Sequence, residues 1–312
     1  MDIGMTRRFI NAMLFCSLAH LNSSAFALTD QSEKVGENVT DANLPHTVLR
    51  LPNVHPGRDA VYAYARQLLS EALAVTEDKY GSFELVVSQE ESAQERQLRS
   101  LEHNMLDVTW SVASTERESH FLPIRIPIMA GLFGKRVLFI REGDQRFRSV
   151  ESLQDLKAFR AVMGYDWPDT KVFKANDVSV LETTYRASFR IVSEGFADMF
   201  PRSVMEIREE FEDKALSRGL IIEDSLLISY DNPIFYFVAS DNTLLAERIA
   251  KGLLILIENG RFHTLLSQQP GYEQSMKLMK NRKLVELTNP LVSDQSREAL
   301  SKFLHEHAIS HP

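Results

Sequence analysis

Short apolar segments alternate with amphipathic segments, and this alternation constrains the fold more than any other feature of the sequence. Residues 47–52 (TVLRLP), 83–89 (FELVVSQ) and 106–111 (LDVTWS) have the apolar runs of short strands. Residues 59–73 and 92–104, which separate them, carry apolar side chains at helical spacing. The order strand, helix, strand, helix, strand predicts an α/β fold with a mostly parallel sheet flanked by helices.

The alternation continues to about residue 267, in a chain of 312 residues whose length favours two domains. A long strand that ends in turn residues is predicted over 131–144 (GLFGKRVLFIREGD), and further strands are predicted within 220–240. The clearest helix pattern spans 244–266, and Gly260 offers a stop or a kink in it. The apolar residues of this helix repeat every four positions, at Leu245, Ile249, Leu253 and Ile257.

The N-terminal segment differs from the rest of the chain. Two arginines precede an apolar run at 9–21, and an Ala-x-Ala sequence ends at Ala27, which is the pattern of a secretory signal peptide. We therefore predict a signal peptide over 1–27, a flexible arm over 28–44 and a periplasmic mature protein. The alternative is a buried N-terminal helix. No later apolar stretch reaches about 18 residues, so the mature protein is not expected to span a membrane.

Charge and cysteine content argue against several classes of function. The net charge is −8 and the basic residues form no single run, which argues against nucleic acid or an anionic membrane as a partner. The only cysteine, Cys16, lies in the predicted signal peptide. The mature chain is therefore expected to have no thiol for a disulfide, a nucleophile or a zinc site.

No catalytic signature stands out in the sequence. The motifs GxSxG, HExxH and GxxxxGK[ST] are absent from it. Adjacent carboxylates such as Glu209-Glu210 have the pattern of solvated helix faces. His305, His307 and His311 could form a metal site, but a solvated tail fits their pattern better. We therefore predict no catalytic residue, no metal and no cofactor.

The segment WSVASTERES, residues 110–119, is the strongest candidate for a ligand site. It includes the end of a predicted strand, and ligands of open α/β sheets bind beyond the carboxyl ends of strands. Thr115 and Glu118 form a T-x-x-E capping box, which predicts that a helix begins here. The first turn of such a helix presents free backbone N–H groups to an anion.

Four side chains of this segment suit a small anionic ligand. Ser111 and Ser114 offer hydroxyl donors, and Arg117 offers a two-pronged donor for a carboxylate. Trp110 can stack on a ligand or exclude water from it. A structural alternative stays open, in which Trp110 is a core residue and Arg117 pairs with a neighbouring glutamate.

These features together resemble the family 3 extracellular solute-binding proteins. A strand, the sequence STER at 114–117, and the Phe and Pro that follow it are similar to the first lobe of that family. The resemblance covers 45–267 and implies a periplasmic receptor of two α/β lobes joined by a two-strand hinge. It also implies that Ser114 and Arg117 hold a ligand carboxylate.

The second lobe of that family has a Gly-x-x-x-Thr turn that contacts the ligand, and MGYDWPDT at 163–170 is loosely similar to it. The resemblance therefore implies that Asp166, Trp167 and Thr170 contact the ligand. A turn with a buried aromatic side chain is the alternative for Asp166 and Trp167.

Arg202 stands where the family has an acidic residue that pairs with the amino group of the ligand. A cation at this place repels an amino group, so the departure implies a ligand with a second anionic group. The alternative is a surface arginine that pairs with Glu206 at i+4.

The resemblance places lobe 1 at 45–138 and 238–312 and lobe 2 at 139–237, with crossovers near 139–143 and 236–240. A ligand then binds between the lobes, which close around it like a hinge.

These expectations describe a monomeric, non-enzymatic periplasmic protein that captures a small polar ligand for an ABC importer. The ligand is expected to carry a carboxylate, as amino acids and dicarboxylates do. The alternative function is a ligand-sensing or degenerate binding module that partners a membrane sensor instead of a permease. A periplasmic hydrolase is a third class, supported only by generic carboxylates.

Overall fold

The computed structural model describes residues 44–53, 61–92, 94–165 and 167–307. The predicted signal peptide and the predicted arm lie outside these ranges, apart from Leu44, the last residue of the arm.

Strands form in most of the apolar segments that the sequence singles out. They are β1 (Thr47–Asn53), β2 (Phe83–Glu91), β3 (Thr109–Val112), β4 (Phe121–Ile124), β5 (Lys135–Arg141), β6 (Ala161–Gly164), β7 (Val180–Thr183), β8 (Met199–Ser203), β9 (Leu220–Ile222), β10 (Leu226–Ser229), β11 (Ile234–Ala239) and β12 (Lys283–Glu286).

Helices occupy most of the connections between strands. They are α1 (Tyr62–Ala74), α2 (Glu77–Tyr80), α3 (Gln94–Glu102), α4 (Thr115–His120), α5 (Leu153–Leu156), α6 (Pro168–Ala175), α7 (Tyr185–Ser193), α8 (Ile207–Glu212), α9 (Thr243–Glu258), α10 (Arg261–Ser267), α11 (Tyr272–Met279) and α12 (Asp294–Glu306).

The strands of the described residues pair into three sheets. β1 and β2 pair in parallel, and β11 lies between β3 and β4 with antiparallel pairing on both sides. The largest sheet has the order β12-β10-β5-β8-β6-β7, and β9 also pairs with β5. In this seven-stranded sheet β6 is parallel to β7 and β8, while β5 is antiparallel to β8, β9 and β10. The α/β class is confirmed, and the pairing is mixed where mostly parallel sheets were expected.

β5 is the central strand of the largest sheet. Its residues Val137, Leu138, Phe139 and Ile140 are all buried, because the sheet is covered on both faces. The strand is shorter than the one predicted over 131–144, since Leu132–Gly134 form a turn of 3₁₀ helix before it.

The helix predicted over 244–266 is two helices in the structure. α9 ends at Glu258 and α10 begins at Arg261. Gly260 separates them with a left-handed backbone, φ 79°, which favours glycine over residues with a side chain. The predicted stop at Gly260 is confirmed.

α1 and α9 approach each other so closely that their backbones are in contact. A Cβ added to Gly252 of α9 would lie 1.9 Å from the carbonyl oxygen of Ala72 in α1. Leu69, Ile249 and Leu253 are fully buried in the same core. Full burial of a leucine or isoleucine side chain contributes roughly 1.5–3 kcal/mol, so this close approach stabilises the fold through the side chains beside it.

The chain passes between the sheets before the positions expected from the resemblance. β4 of the three-stranded sheet is followed by β5 of the seven-stranded sheet, and β10 of the latter is followed by β11 of the former. The passages therefore lie at 125–134 and 230–233, while most of 139–143 and of 236–240 lies within β5 and β11. β12 pairs with β10, so the C-terminal segment contributes to the seven-stranded sheet. The lobe boundaries themselves stay a prediction.

Candidate functional site

Helix α4 begins as expected, but a different residue caps it. The hydroxyl of Ser114 accepts a hydrogen bond from the backbone N–H of Arg117 at 3.2 Å, so Ser114 is the N-cap. The predicted capping box of Thr115 and Glu118 is wrong. Ser114 has an extended backbone just after β3, which aims its hydroxyl at the first turn, and Thr115 is already helical. The hydroxyl of Thr115 donates instead to the carbonyl oxygen of Leu291 at 3.2 Å.

Arg117 is almost fully buried and has four acceptors around its guanidinium. Its Nη1 donates to the hydroxyl of Ser111 at 2.6 Å and to the carbonyl oxygen of Val112 at 2.8 Å. Its Nη2 donates to the side-chain oxygen of Gln94 at 3.2 Å and to the carboxylate of Glu95. Only 10% of the Arg117 side chain is exposed, against 64% for Glu95. One nitrogen is therefore fixed by the protein interior, and the other meets a carboxylate that lies largely in solvent.

Arg117 pairs with a glutamate, as the structural alternative to a ligand site proposed, but the glutamate belongs to another helix. Glu95 belongs to the first turn of α3 and is 22 residues away in sequence. Neither Glu116 nor Glu118, the two glutamates beside Arg117 in sequence, is its partner in the described hydrogen bonds. The role of Ser111, Ser114 and Arg117 in holding a ligand carboxylate stays a prediction.

Trp110 lies in the core of the protein. Its ring is 5.5 Å from the ring of Tyr62 and 6.4 Å from that of Tyr236, the second contact being edge to face. The residue is 7% exposed. Trp110 therefore supports the strand that carries Ser111, and contact with a ligand stays a prediction.

The predicted turn of the second lobe connects β6 to α6. The hydroxyl of Thr170 is buried and donates to the carbonyl oxygen of Gly164 at 2.8 Å, which closes the turn. Trp167 immediately precedes α6 and lies so close to Gly164 that a Cβ there would be 2.6 Å from its ring. Its ring stacks on Phe200, with centroids 6.0 Å apart. Asp166 lies outside the described residues.

Arg202 is buried and neutralised by carboxylates. Its Nε donates to both carboxylate oxygens of Glu210 at 2.9 Å, and its Nη2 donates to Glu210 at 2.5 Å. The same Nη2 lies 3.2 Å from Glu206, so the i+4 pair expected in the alternative is present, but its arginine is buried instead of lying on the surface. The guanidinium carbon is 4.7 Å from the ring centroid of Trp167. A guanidinium with two carboxylate partners presents little net charge to a ligand. Arg202 therefore gives no reason to expect a second anionic group on the ligand.

Arg202 belongs to a buried charge cluster, which we define as Arg136, Asp169, Arg202, Glu206 and Glu210. Arg136 donates to Asp169 at 2.6 Å and lies 3.8 Å from Glu206, so it links the two ends of the cluster. The cluster contains two guanidinium groups and three carboxyl groups. Their charges balance only when one carboxyl group is protonated.

Glu206 is the carboxyl group of this cluster with the poorest surroundings. Its Oε2 is buried and accepts no hydrogen bond among the described residues, although about a quarter of the side chain is exposed. Burial raises the pKa of the Glu206 carboxyl, and the charge of Arg202 opposes this rise. The protonated form of Glu206 is therefore favoured relative to a glutamate in water.

Two tyrosines extend the cluster. The hydroxyl of Tyr185 donates to Glu210 at 3.0 Å, and the hydroxyl of Tyr230 accepts from Nε of Arg136 at 2.8 Å and donates to Asp169. Burial raises the pKa of both tyrosines, so both hydroxyls keep their protons and act as donors.

Sequence reasoning missed Arg136, Asp169 and Glu210. Arg136 begins the buried part of β5, and a charged residue inside an apolar strand is the signal that could have found it. Glu210 follows Glu206 at i+4 and was interpreted as part of a solvated face. Sequence alone did not indicate that β8 and α8 would bring both of these glutamates beside Arg202 and bury Glu210.

The predicted site residues fall into two separate groups. Trp110, Ser111, Ser114 and Arg117 surround the start of α4, whereas Trp167, Thr170 and Arg202 surround the start of α6. No hydrogen bond, ion pair or ring contact of the described residues joins the two groups directly.

Two surface grooves lie outside both groups, although Tyr62, which lines the larger one, contacts Trp110. One, of about 490 Å³, runs between α1 and β2, and the other, of about 310 Å³, lies near α11 and the start of β12. Neither is lined by a predicted site residue. Within the described part of the chain, no cluster of His, Cys, Asp and Glu could hold a metal ion. No helix of that part is long and apolar enough to cross a bilayer.

Comparison with known proteins gives a likeness in structure. No protein-family model matches the sequence, and no curated protein matches it. A probable amino-acid ABC transporter extracellular-binding protein from Bacillus subtilis has a TM-score of 0.54 at 12% identity, over 72% of this chain and 98% of the other. An ancestral arginine-binding protein bound to arginine has a TM-score of 0.50 at 16% identity, over 71% of this chain and 97% of the other. This chain therefore has the two-lobe α/β fold of the solute-binding proteins that its sequence resembles.

Proposed function

We propose that this protein is a periplasmic solute-binding protein that captures a small polar ligand through a carboxylate group of the ligand. The ligand is amino acid-like or a dicarboxylate, and an ABC importer receives it. The fold supports this proposal, because the solved structures with which it is shared include an arginine-binding protein and a probable amino-acid ABC transporter binding protein. Fold alone does not assign a ligand, so the argument depends on the site.

The observation that carries the proposal is the pairing of Arg117 with Glu95. A buried guanidinium has one nitrogen anchored by Ser111 and Val112, while the other is directed at a solvent-exposed carboxylate. An arginine held in this way is oriented in advance for a charge-assisted contact with a carboxylate through Nη2. We infer that the ligand carboxylate takes the place of Glu95.

We expect Arg117→Gln to weaken ligand binding strongly. A screen of the L-amino acids and the C4 and C5 dicarboxylates by thermal shift identifies the ligand, and calorimetry gives its affinity. Loss of the charge-assisted hydrogen bonds should weaken binding about 100-fold, since such bonds contribute roughly 1.5–3 kcal/mol each. Arg99→Gln, an exposed position on α3, is the matched charge control and should bind normally. An unchanged affinity in a folded Arg117→Gln variant would remove the proposed site.

Glu95→Gln tests the same site with the opposite sign. If Glu95 occupies the position of the ligand carboxylate, its neutralisation removes a competitor and should tighten binding. Because Glu95 is largely exposed, the expected gain is modest, about threefold to tenfold in affinity. Glu102→Gln on the same helix is the control for the lost charge and should leave the affinity unchanged. Weaker binding in Glu95→Gln would instead mean that Glu95 helps to hold the ligand.

A second function is supported by the same pairing. Arg117 and Arg202 both have carboxylate partners within the chain, as expected of a binding module that works with a membrane sensor and has lost its ligand. In that case the screen gives no ligand, and capture from the periplasm retrieves a sensor protein. Ligand uptake that disappears on deletion of the gene supports the importer function.

A further inference from the structure

The C-terminal segment after α11 connects α6 to α4, the two helices whose first turns carry predicted site residues. This segment lies beyond 45–267, the range of the resemblance to the solute-binding family. Its first part is β12, which pairs in parallel with β10 over four residues. The backbone N–H of Leu287 extends the pairing by donating to Ser229 at 2.8 Å. One end of the segment is therefore part of the seven-stranded sheet.

The middle of the segment is attached to the end of α6. The side chain of Asn176 donates to the carbonyl oxygen of Thr288 at 2.7 Å and accepts from the N–H of Thr288 at 2.9 Å. Asn289 donates to the carbonyl oxygen of Asp231 at 2.8 Å, in the connection between β10 and β11. Arg297 donates to the carboxylate of Asp231 at 2.5 Å.

The far end of the segment is attached to α4, the helix that carries Arg117. The carbonyl oxygen of Leu291 accepts from the backbone N–H of Thr115 at 2.8 Å and from its hydroxyl at 3.2 Å. The hydroxyls of Ser293 and Ser296 donate to the two oxygens of Glu118 at 2.7 and 2.8 Å. The Glu118 side chain is only 5% exposed, so these bonds lie in the interior.

We propose that residues 283–297 form a strap that holds α4 against the seven-stranded sheet, and that the α4 end of this strap detaches when the site at Arg117 opens. α4 has only six residues, and a helix this short depends on contacts outside itself for its stability. The strap supplies such contacts through Leu291, Ser293 and Ser296. The end at β10 is held by a continuous strand pairing, so the α4 end is the one that releases first.

The strap also explains how two separate groups of residues can act on one ligand. It holds the start of α4 at its far end and the end of α6 in its middle, so movement of either helix is transmitted along it. The detachment of the α4 end when the site at Arg117 opens for a ligand rests on the proposed function. The mechanical role does not, because it concerns the protein without ligand.

Hydrogen exchange of the full chain without ligand tests the strap. The variant Thr115→Val with Ser296→Ala removes the hydrogen bond from the Thr115 hydroxyl to Leu291 and the one from Ser296 to Glu118. It keeps the Ser293 cap of α12. We expect the amides of 115–120 to exchange about tenfold faster, while those of 226–229 and 283–286 keep their protection. The matched control, Glu116→Gln with Ser301→Ala, changes one exposed side chain on each helix and should leave all these rates unchanged.

Two results would overturn the proposal. Unchanged exchange in α4 would mean that the strap does not hold this helix. An equal rise in α4, β10 and β12 would mean that the segment is an ordinary part of the cooperative fold. Glu118→Gln, which keeps the volume of the side chain but weakens its bonds to Ser293, Ser296 and Arg125, provides a second variant with the same expected pattern. None of these outcomes depends on a ligand, so failure of the strap is distinguishable from failure of the proposed function.

Discussion

Glu210→Gln should lower the melting temperature by about 6–12 °C, because it leaves Arg202 buried with an incomplete partner. Glu210 accepts three hydrogen bonds from Arg202 and one from Tyr185, and both members of the pair are more than nine-tenths buried. Removing one partner of a buried ion pair lowers the free energy of unfolding by about 3–5 kcal/mol. The amide oxygen of glutamine still accepts a hydrogen bond, so we expect a loss of about 3 kcal/mol.

Glu206→Gln is the matched comparison at the other carboxylate of the cluster. Its Oε2 accepts no hydrogen bond among the described residues, and burial raises its pKa, so the neutral amide resembles the form that the site favours. Because the pKa of Glu206 is raised, the folded state binds a proton more tightly than the unfolded chain does, and stability increases as the pH falls. The protonated Glu206 therefore stabilises the folded protein at low pH. This stabilisation is lost as the pH rises from the pKa that Glu206 has in the unfolded chain towards its higher pKa in the folded protein.

At neutral pH we therefore expect Glu206→Gln to change the melting temperature little or to raise it. Thermal unfolding of the wild type and both variants at pH 5 and pH 8 checks the comparison. The wild type should gain stability relative to Glu206→Gln as the pH falls. Equal destabilisation by the two substitutions would show that both carboxylates are ionised and hold Arg202 equally.

The second large effect is expected at the contact between α1 and α9. Gly252→Ala should destabilise the protein by about 3 kcal/mol, because overpacking of a rigid contact costs roughly 1–3 kcal/mol or more. The added Cβ would meet the carbonyl oxygen of Ala72 at 1.9 Å, so the two helix backbones must move apart. Alanine is favoured over glycine by about 1 kcal/mol inside a helix, so the intrinsic preference works against the expected result.

The comparison for Gly252→Ala is Lys251→Ala, at an exposed position one residue earlier in α9. This variant should have nearly the stability of the wild type. Urea unfolding of the three proteins, followed by circular dichroism, measures the difference. A Gly252→Ala protein as stable as the wild type would mean that α1 and α9 can separate without loss of the contacts at Leu69 and Leu253.

Local patterns predicted the neighbourhood of Arg117 well. Ser111, Ser114 and Arg117 lie within seven residues, so a strand followed by a helix brings them together whatever the rest of the chain does. The cap was misplaced by one residue, because Thr115 and Ser114 are both good capping residues and only the path of the chain after β3 selects between them. Glu95 could not be paired with Arg117 from sequence, because that contact requires the packing of α3 beside β3.

For the second group of predicted site residues, at the start of α6, the sequence predicted which residues lie together but not which residues surround them. Trp167 and Arg202 meet because β6 and β8 are neighbours in the seven-stranded sheet, an arrangement that the alternation of strands and helices permits. Arg202 looked like a surface residue or a ligand contact, since both readings fit a charged residue near a strand end. Its burial beside Glu210 depends on the way α8 folds back over the sheet.

The sequence by itself determined the α/β class, the strand β5, the presence of a helix soon after β3 and the break at Gly260. These features depend on apolar spacing, on a hydroxyl before a helix and on the backbone freedom of glycine, all of which act within a few residues. Only the tertiary structure decided the partners of Arg117 and Arg202, the buried charge cluster and the strap over 283–297. A carboxylate that is solvated in one fold is an interior partner in another, because its environment is made by residues far away in sequence.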